Sequence, residues 1–343
     1  MKSTPTHHTH PSCDAPDATP GPWTQEIRQQ AFDRAVQTHG IEYFGQALKQ
    51  RNWSPWHDLP LQEIYDRGHQ LSEDTYNLIE GFLGVEEHVG DYVQEGVEIF
   101  HDDRIRRNVH LQWGAEEARH GVVWELVLKH SQARTETQLA SYLEKGRASR
   151  WSQKQHPGIG TPLGTTVYAM VQERATFFHY QEMRTRVREE YSLPQSPTPE
   201  ERQRGYEIGA SEALRLVAQD ELAHHGLFLQ IVRSALKYLP TATFAMLTEV
   251  LTHFEMPTMR FLPNARTFLR SLKRTGLYNT HIHKEKIHNP LLKSLGLDDQ
   301  QAFDRAGRLA HTLPIDVSPD CIKLSRTGQW EIESAPPQVA ARV

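Results

Sequence analysis

The chain has 343 residues, a formal net charge of −5 and two cysteines, and 38% of its residues are hydrophobic against 24% charged. This balance is typical of a soluble globular protein with one large domain or two ordinary ones. Two cysteines are too few for a disulfide framework or a thiolate metal site. The mild negative charge gives no reason to expect nucleic-acid binding, and the sequence has no apolar run long enough for a membrane span.

The N-terminal segment 1–21 is rich in Thr, His, Pro and Asp. It lacks the apolar core of a secretory signal, and it carries Asp14 and Asp17 but no Arg, unlike a transit peptide. We therefore predict a disordered tail over 1–21 and a cytoplasmic protein.

Helical periodicity dominates from Trp23 to about Arg274, and strand signals are almost absent. We predict an all-α domain over 22–276 and a C-terminal extension over 277–343 whose end is loosely structured. The predicted elements are a first helix over 25–49, four core helices over 72–100, 104–130, 163–190 and 199–238, and two flanking helices over 241–254 and 258–274. The core helices should form a four-helix bundle with the other helices flanking it.

Each predicted core helix has an apolar stripe that one glutamate interrupts near its middle. These glutamates are Glu86, Glu117, Glu173 and Glu221. Two of them begin a Glu-x-x-His motif that ends at His120 or His224. Because positions i and i+3 share a helix face, each motif directs a carboxylate and an imidazole at one point. A buried carboxylate without a partner is costly, so the pattern indicates a metal pair inside the bundle.

The six side chains match the ligand set of ferritin-like di-iron and di-manganese proteins, which is one Glu from each of two helices and Glu-x-x-His from each of the other two. Four carboxylates balance two divalent cations, and carboxylate with imidazole suits Fe or Mn. Glu86 is preferred to Glu87 because it shares the face of Phe82 and Val89. The alternative is a set of surface or salt-bridged glutamates that interrupt the stripes by chance.

Three segments around these motifs resemble those of a known family. Residues 113–121, Trp-Gly-Ala-Glu-Glu-Ala-Arg-His-Gly, are similar to W-T-A-E-E-N-R-H-G of the soluble acyl-acyl-carrier-protein desaturases, and residues 172–177 are identical to the family's Q-E-R-A-T-F. Residues 220–224, Asp-Glu-Leu-Ala-His, parallel its D-E-K-R-H. The resemblance covers about 45–262. Departures such as Ala118 for Asn leave the ligands intact but bear on substrate identity and electron delivery.

The resemblance implies an O2-dependent desaturase that introduces a cis double bond into an acyl chain on acyl carrier protein. It implies two iron ions, with Mn possible as isolated, electrons from ferredoxin, and a homodimer. It also implies that Thr176 lies beside the oxygen site, that Asp220 orients His120, and that Trp113 and Trp53 lie on an electron route. The alternatives are a hydrogen bond of Thr176 within its own helix and plain core packing of the tryptophans.

The sequence also offers candidate residues for contacts with the substrate and with its carrier. Met170, Phe177 and Phe178 are candidates for lining an acyl site, although aromatic stripes are more often core. An acidic carrier should dock on a basic patch. The candidates are Arg260, Arg266, Arg270, Lys273 and Arg274 along one late helix, and Arg184, Arg186 and Arg188 late in the third core helix.

Two other functions remain open. One is another oxidation on the same scaffold, such as hydroxylation or N-oxygenation of an acyl or carrier-bound substrate, and the ligand residues do not separate it from desaturation. The other is a non-catalytic metal-binding bundle. Sustained O2 consumption coupled to a changed acyl chain would exclude the latter.

Overall fold

The structure, a computed structural model, describes residues 22–150, 152, 159–256 and 262–333. Its α-helices are α1 (Gln25–Gln50), α2 (Pro55–Asp58), α3 (Leu61–Arg67), α4 (Glu73–Glu86), α5 (Val89–Ile99), α6 (Arg104–His130), α7 (Glu136–Arg147), α8 (Pro162–Glu190), α9 (Pro199–Arg204), α10 (Ala210–Tyr238), α11 (Pro240–His253), α12 (Ala265–Thr275), α13 (Thr280–Ile282), α14 (Asn289–Ser294) and α15 (Gln300–Ala310). The predicted all-α architecture is confirmed. The predicted tail 1–21 lies outside the described residues. None of the described helices combines the length and apolar character that crossing a membrane requires.

The bundle is formed by α4 with α5, α6, α8 and α10. Helix α8 packs along α10, α4 and α5 pack against α6, and α1 lies across α6 and α10. The two largest apolar clusters of the interior lie one around Trp124, Tyr180 and Val217 and the other around Trp113, Phe228 and Leu292. On α6, α8 and α10 alike, the predicted glutamate lies between residues of the first cluster and residues of the second, so the site occupies the boundary between two apolar regions.

The first core helix is not continuous, contrary to the prediction over 72–100. Helix α4 ends at Glu86 and α5 begins at Val89, and His88 N–H bonds to the carbonyl of Val85, three residues back, over 3.2 Å. Such a tightened turn interrupts an α-helix without shifting its apolar face. The stripe therefore continues through the break, which hides it from a periodicity analysis.

The fourth core helix is also divided. Helix α9 ends at Arg204, and the capping residue Gly205 has a φ of 81°, the left-handed conformation common after a helix. Helix α10 begins after Gly209, whose φ is 57°. Glycine adopts these angles without the strain that a Cβ would add. The prediction of one helix over 199–238 was therefore wrong at its start.

The late elements differ from the prediction in two places. Helix α12 begins only after Pro263, and residues 258–261 of the predicted helix over 258–274 lie outside the described residues. The end of the extension is ordered as far as 333. Strand β1 (Ile322–Leu324) pairs antiparallel with β2 (Trp330–Ile332), and the indole N–H of Trp330 donates to the carbonyl of Ala306 over 2.9 Å. Strands of three residues are too short to show alternation.

Candidate metal centre

The six predicted residues converge at one buried place. Ligand-type atoms of two groups, each of four side chains, lie within 4.8 Å of one another. The groups are Glu86, Glu117, His120 and Glu221, and Glu117, Glu173, Glu221 and His224. Glu117 and Glu221 belong to both groups, and all six side chains are buried. The arrangement is two overlapping groups with two shared carboxylates, and each group could hold a metal ion.

The helices explain the convergence. The Glu-x-x-His pairs of α6 and α10 each present both side chains on one face. Glu86 is the last residue of α4, and Glu173 lies in the middle of α8. Glu87 points away from the cluster and makes an ion pair with Arg147 over 2.5 Å. This contact distinguishes the two neighbouring glutamates as the sequence analysis expected.

The imidazoles face the cluster through Nδ1. Nδ1 of His120 lies 3.3 Å from an oxygen of Glu117 and 3.3 Å from one of Glu221. Nδ1 of His224 lies 2.8 Å from Glu117 and 3.4 Å from Glu173. Both Nδ1 atoms therefore occupy the position from which a lone pair would meet a shared cation.

Each Nε2 atom is bound by a carboxylate from the opposite motif. Nε2 of His120 lies 3.2 Å from Asp220, and Nε2 of His224 lies 2.8 Å from Glu116. Asp220 was predicted in this position, whereas Glu116 was missed. The signal was available in the sequence, because Glu116 precedes Glu117 just as Asp220 precedes Glu221.

A layer of hydrogen-bond donors surrounds these two outer carboxylates. Asp220 accepts from Arg119 over 2.6 Å and from the indole of Trp53 over 3.0 Å. Glu116 accepts from the hydroxyl of Tyr43 over 2.5 Å. Arg51, only 3% exposed, lies between the two carboxylates, 3.7 Å from Glu116 and 4.0 Å from Asp220. Sequence analysis missed Tyr43 and Arg51, since both depend on how α1 packs across the bundle.

Three of the inner glutamates also receive one neutral donor each. The hydroxyl of Tyr180 donates to Glu86 over 2.7 Å, and the indole of Trp113 donates to Glu173 over 3.1 Å.

The hydroxyl of Thr176 lies 2.7 Å from Glu221 and 3.2 Å from each of two carbonyls of its own helix. Thr176 therefore contacts the cluster, and its hydroxyl is also placed to bond to carbonyls of its own helix. Its predicted contact with oxygen stays a prediction.

The electrostatics of the cluster favour proton uptake. Burial, reinforced by Glu117, raises the pKa of Glu86 well above its ordinary value, and burial with Glu221 does the same to the pKa of Glu173. Burial alone would lower the pKa of His120, but the charge of Glu117 and the hydrogen bonds to Asp220, Glu117 and Glu221 together outweigh burial, and the pKa rises. A cation that replaces these protons would relieve the same accumulation of charge.

The residues present fit a pair of metal ions. Oε1 of Glu117, Oε1 of Glu221 and Nδ1 of His224 are buried and lack a well-aligned hydrogen bond within the described residues, although Oε1 of Glu117 and Nδ1 of His224 lie only 2.8 Å apart. Unpaired buried polar atoms are costly, and these three belong to side chains of the two four-residue groups. Carboxylate oxygen and imidazole nitrogen without thiolate form a donor set that iron and manganese accept.

An apolar cavity of about 450 Å³ adjoins the cluster. Its lining residues include Phe82, Thr176, His179, Tyr180, Met183, Phe254, Leu269, Leu272 and Tyr278. Thr176 and Tyr180 are the lining residues that bond to the inner glutamates. The predicted candidates Met170, Phe177 and Phe178 do not line this cavity. Met170 is fully buried core, because it lies on the side of α8 that faces the second apolar cluster.

The two predicted basic patches differ in their exposure to solvent. Arg188 is fully buried and bound to Glu201 and Glu207, so it cannot form part of a docking surface. On α12, Arg266, Arg270 and Lys273 are exposed. Arg260 lies outside the described residues.

Taken together, an all-α bundle, two Glu-x-x-His motifs at its centre and an adjoining apolar cavity define a ferritin-like helix bundle with a candidate two-metal site. The sequence model of the fatty acid desaturase family matches residues 101–324. The chain belongs to this family.

One comparison with a solved structure agrees with this fold. A protein proposed to be an acyl-ACP desaturase, DesA2 from Mycobacterium tuberculosis H37Rv, is similar at a TM-score of 0.53 and 15% identity, over 79% of this chain and 96% of that chain. The R2-like ligand-binding oxidase from Sulfolobus acidocaldarius aligns at a TM-score of 0.45 and 15% identity, over 72% of this chain and 90% of that chain. No similar sequence was found among the curated proteins.

Proposed function

We propose that this protein is an O2-dependent desaturase that introduces a cis double bond into an acyl chain carried on acyl carrier protein. The observation that carries the proposal is the convergence of four glutamates and two histidines into two overlapping groups beside an apolar cavity. Membership of the fatty acid desaturase family indicates the reaction, and the site offers a place for it.

The proposed cofactor is a pair of iron ions, for which manganese can substitute as isolated. Glu117 and Glu221 would contact both ions, because both belong to each four-residue group. The remaining ligands would be Glu86 and His120 for one ion and Glu173 and His224 for the other. When bound and reduced, such a centre supplies the O2 chemistry that removal of hydrogen from an unactivated C–H bond requires.

The protein's own contribution begins with the imidazoles. Asp220 and Glu116 accept the Nε2–H of His120 and His224, which fixes the tautomer whose Nδ1 lone pair faces the cluster. The two carboxylates are in turn held by Arg51, Tyr43 and Trp53. This layer keeps the ligands oriented through changes of charge at the centre.

The cavity orients the substrate and excludes water. Its walls are mostly apolar, which suits an acyl chain, and Thr176 and Tyr180 bring it into contact with the candidate ligands. Water excluded from the reacting carbons cannot divert a strong oxidant into side reactions. We assign Thr176 the role of hydrogen-bond donor beside the oxygen site, because its hydroxyl lies 2.7 Å from Glu221 in the cavity wall.

Electrons from ferredoxin have a continuous line of contacts to follow. Trp53 is half-buried, its indole N–H donates to Asp220, and Asp220 contacts His120. Trp113 instead donates to Glu173 on the other side of the cluster. We assign electron entry to Trp53 and a ligand-orienting role to Trp113.

The carrier is proposed to dock on α12. Arg266, Arg270 and Lys273 are exposed on this helix, and Leu269 and Leu272 of the same helix line the cavity. An acidic carrier protein would meet positive charge at the place where its acyl group enters. The resemblance to soluble desaturases further favours a cytoplasmic homodimer. We propose 22–276 as the catalytic domain and 277–343 as an extension that packs on it.

Metal analysis is the first test. We expect the purified protein to hold about two iron ions per chain, as the two-metal ligand set requires, and Glu117→Ala and Glu221→Ala to lose both. Glu87→Gln is the matched control, because Glu87 adjoins Glu86 but pairs with Arg147 instead. Iron retained in both alanine variants would contradict the site.

The reaction is tested with a panel of acyl carrier proteins, ferredoxin, a reductant and O2. Mass spectrometry separates loss of two hydrogens from gain of an oxygen atom, and so separates desaturation from hydroxylation. O2 consumption without any changed acyl chain, across the whole panel, would contradict the proposal.

A further inference from the structure

His179 is a polar side chain in the wall of the apolar cavity. Within the described residues, neither of its ring nitrogens has a hydrogen-bond partner. Other polar lining groups are engaged. Thr176 and Tyr180 each donate over 2.7 Å to a predicted metal ligand, and the hydroxyl of Tyr278 lies 3.2 Å from Nδ1 of His283.

The position of His179 relates it to the chemistry. It follows Thr176 by three residues on α8, so both side chains lie on one face, about 4.5 Å apart along the helix axis. Thr176 is bonded to the cluster through Glu221. A group held by His179 would therefore lie within about one helical turn of the place where oxidation occurs.

The imidazole is held in place and is neutral at pH 7. Its ring packs 5.5 Å from that of Phe178 and 5.2 Å from that of Tyr278, measured between centroids. Burial, with a smaller effect of His283, lowers the pKa of His179 to about 4. A neutral imidazole offers one N–H donor and one lone pair. In a mostly apolar cavity, a ligand without a complementary group would leave both unsatisfied, which costs affinity.

We propose, building on the function proposed above, that His179 determines specificity by hydrogen bonding to an oxygen atom of the acyl substrate close to the carbons that are oxidised. The substrate class is then an acyl chain with a carbonyl or hydroxyl a few bonds from the new double bond. The oxygen is either that of the thioester carbonyl or that of a substituent on the chain. A long unsubstituted chain whose polar group is remote fits this wall poorly.

Calorimetric titration of the iron-loaded, unreduced protein tests the proposal without turnover. Three probes are compared. They are the decanoyl thioester of N-acetylcysteamine, the matching thioether that lacks the carbonyl, and that thioether with a hydroxyl on the third carbon of the alkyl chain. We expect at least one oxygen-bearing probe to bind about tenfold more tightly than the plain thioether. Tighter binding of the thioester identifies the carbonyl as the hydrogen-bond partner of His179, and tighter binding of the hydroxylated thioether identifies the substituent.

Variants of His179 test whether this residue causes the preference for oxygen-bearing probes over the plain thioether. His179→Phe should bring the preference close to unity with little effect on the plain thioether, and His179→Gln, which keeps a donor and an acceptor, should restore most of it. Met183→Leu, in the same wall, should keep it. Equal binding of all three probes by the unaltered protein would overturn the proposal, as would a preference that survives in His179→Phe. Since no oxidation occurs in these titrations, failure of desaturation and failure of this inference are separate results.

Discussion

The carboxylate of Glu116 lies 2.8 Å from Nε2 of His224, on a different helix and in a different motif. The relationship is reciprocal, because Asp220 precedes Glu221 in the second motif and contacts Nε2 of His120 in the first over 3.2 Å. Each motif thus supplies the acceptor that orients the other motif's histidine. The two halves of the candidate centre are thereby connected directly through these two contacts.

The first prediction concerns this reciprocity. Glu116→Gln should lower iron affinity by about 10- to 100-fold, because the amide is a weaker acceptor and no longer fixes the imidazole tautomer of His224. Asp220→Asn should do the same through His120. Competition with a chelator of known affinity measures the loss.

The matched control is Glu125→Gln, an exposed change on the same helix as Glu116. It should leave iron affinity unchanged. If Glu116→Gln binds iron as tightly as the unaltered protein, the outer carboxylates do not support the ligands.

These residues also show how much of the candidate site could be predicted from the sequence. The six candidate ligands could be predicted because helical periodicity is local, and the i, i+3 spacing together with the apolar stripe fixes the direction of each side chain. Glu116 was missed because a residue next to a ligand leaves the stripe. Asp220, in the matching position before Glu221, was indicated only by the family resemblance. The break after Glu86 was missed because the apolar stripe continues through it.

The cavity could not be predicted for a different reason. Its wall combines α8 with α12 and with Tyr278, which are brought together only by packing between distant parts of the chain. The sequence analysis followed the aromatic stripe of α8 to Phe177 and Phe178. The side that faces the cavity is instead that of Thr176, His179 and Tyr180, and only the position of α12 decides this.

The second prediction concerns electron entry. Trp53→Phe removes the indole N–H that bonds to Asp220 over 3.0 Å but leaves all six candidate ligands in place. We expect iron content to be unchanged and reduction of the centre by ferredoxin, followed by stopped-flow absorbance, to be at least about tenfold slower, a barrier increase of about 1.4 kcal/mol. Trp56→Phe is the control, because Trp56 is 63% exposed. Equal reduction rates in the two variants would refute the assignment of Trp53.

The third prediction concerns stability and pH. Glu201 accepts two bonds from the fully buried Arg188, over 2.9 and 3.0 Å. Burial alone would raise its pKa, but Arg188 and the backbone of Thr198 outweigh burial and lower the pKa to about 2. A lowered pKa in the folded state stabilises the protein above the ordinary value of about 4.3, and this contribution is lost as the pH falls toward 2.

Glu201→Gln should therefore reduce the free energy of unfolding by about 3 kcal/mol at pH 7, because it leaves a buried guanidinium partly unpaired. The difference from the unaltered protein should shrink as the pH is lowered from about 5 toward 2. Urea unfolding at a series of pH values measures it, and comparing two proteins at each pH cancels the shared effect of metal release. Glu200→Gln, an exposed neighbour, should show no such difference. A stability gap that stays constant down to pH 3 would contradict the assigned ion pair.

The fourth prediction concerns the volume available to the acyl chain. Leu272 lines the cavity from α12, and the cavity has only about 450 Å³, within the range of sites that enclose small ligands. Leu272→Trp should fill part of this space on the side where the acyl group is proposed to enter, so acyl chains of every length should bind more weakly. Displacement of a fluorescent fatty acid by saturated acids of increasing length measures the shift. Leu222→Trp serves as the control, because Leu222 is 48% exposed on α10 and does not line the cavity. Circular dichroism and thermal unfolding of Leu272→Trp should match those of the unaltered protein, which separates a filled cavity from a perturbed fold. Unchanged affinities for all lengths would mean that the acyl chain binds elsewhere.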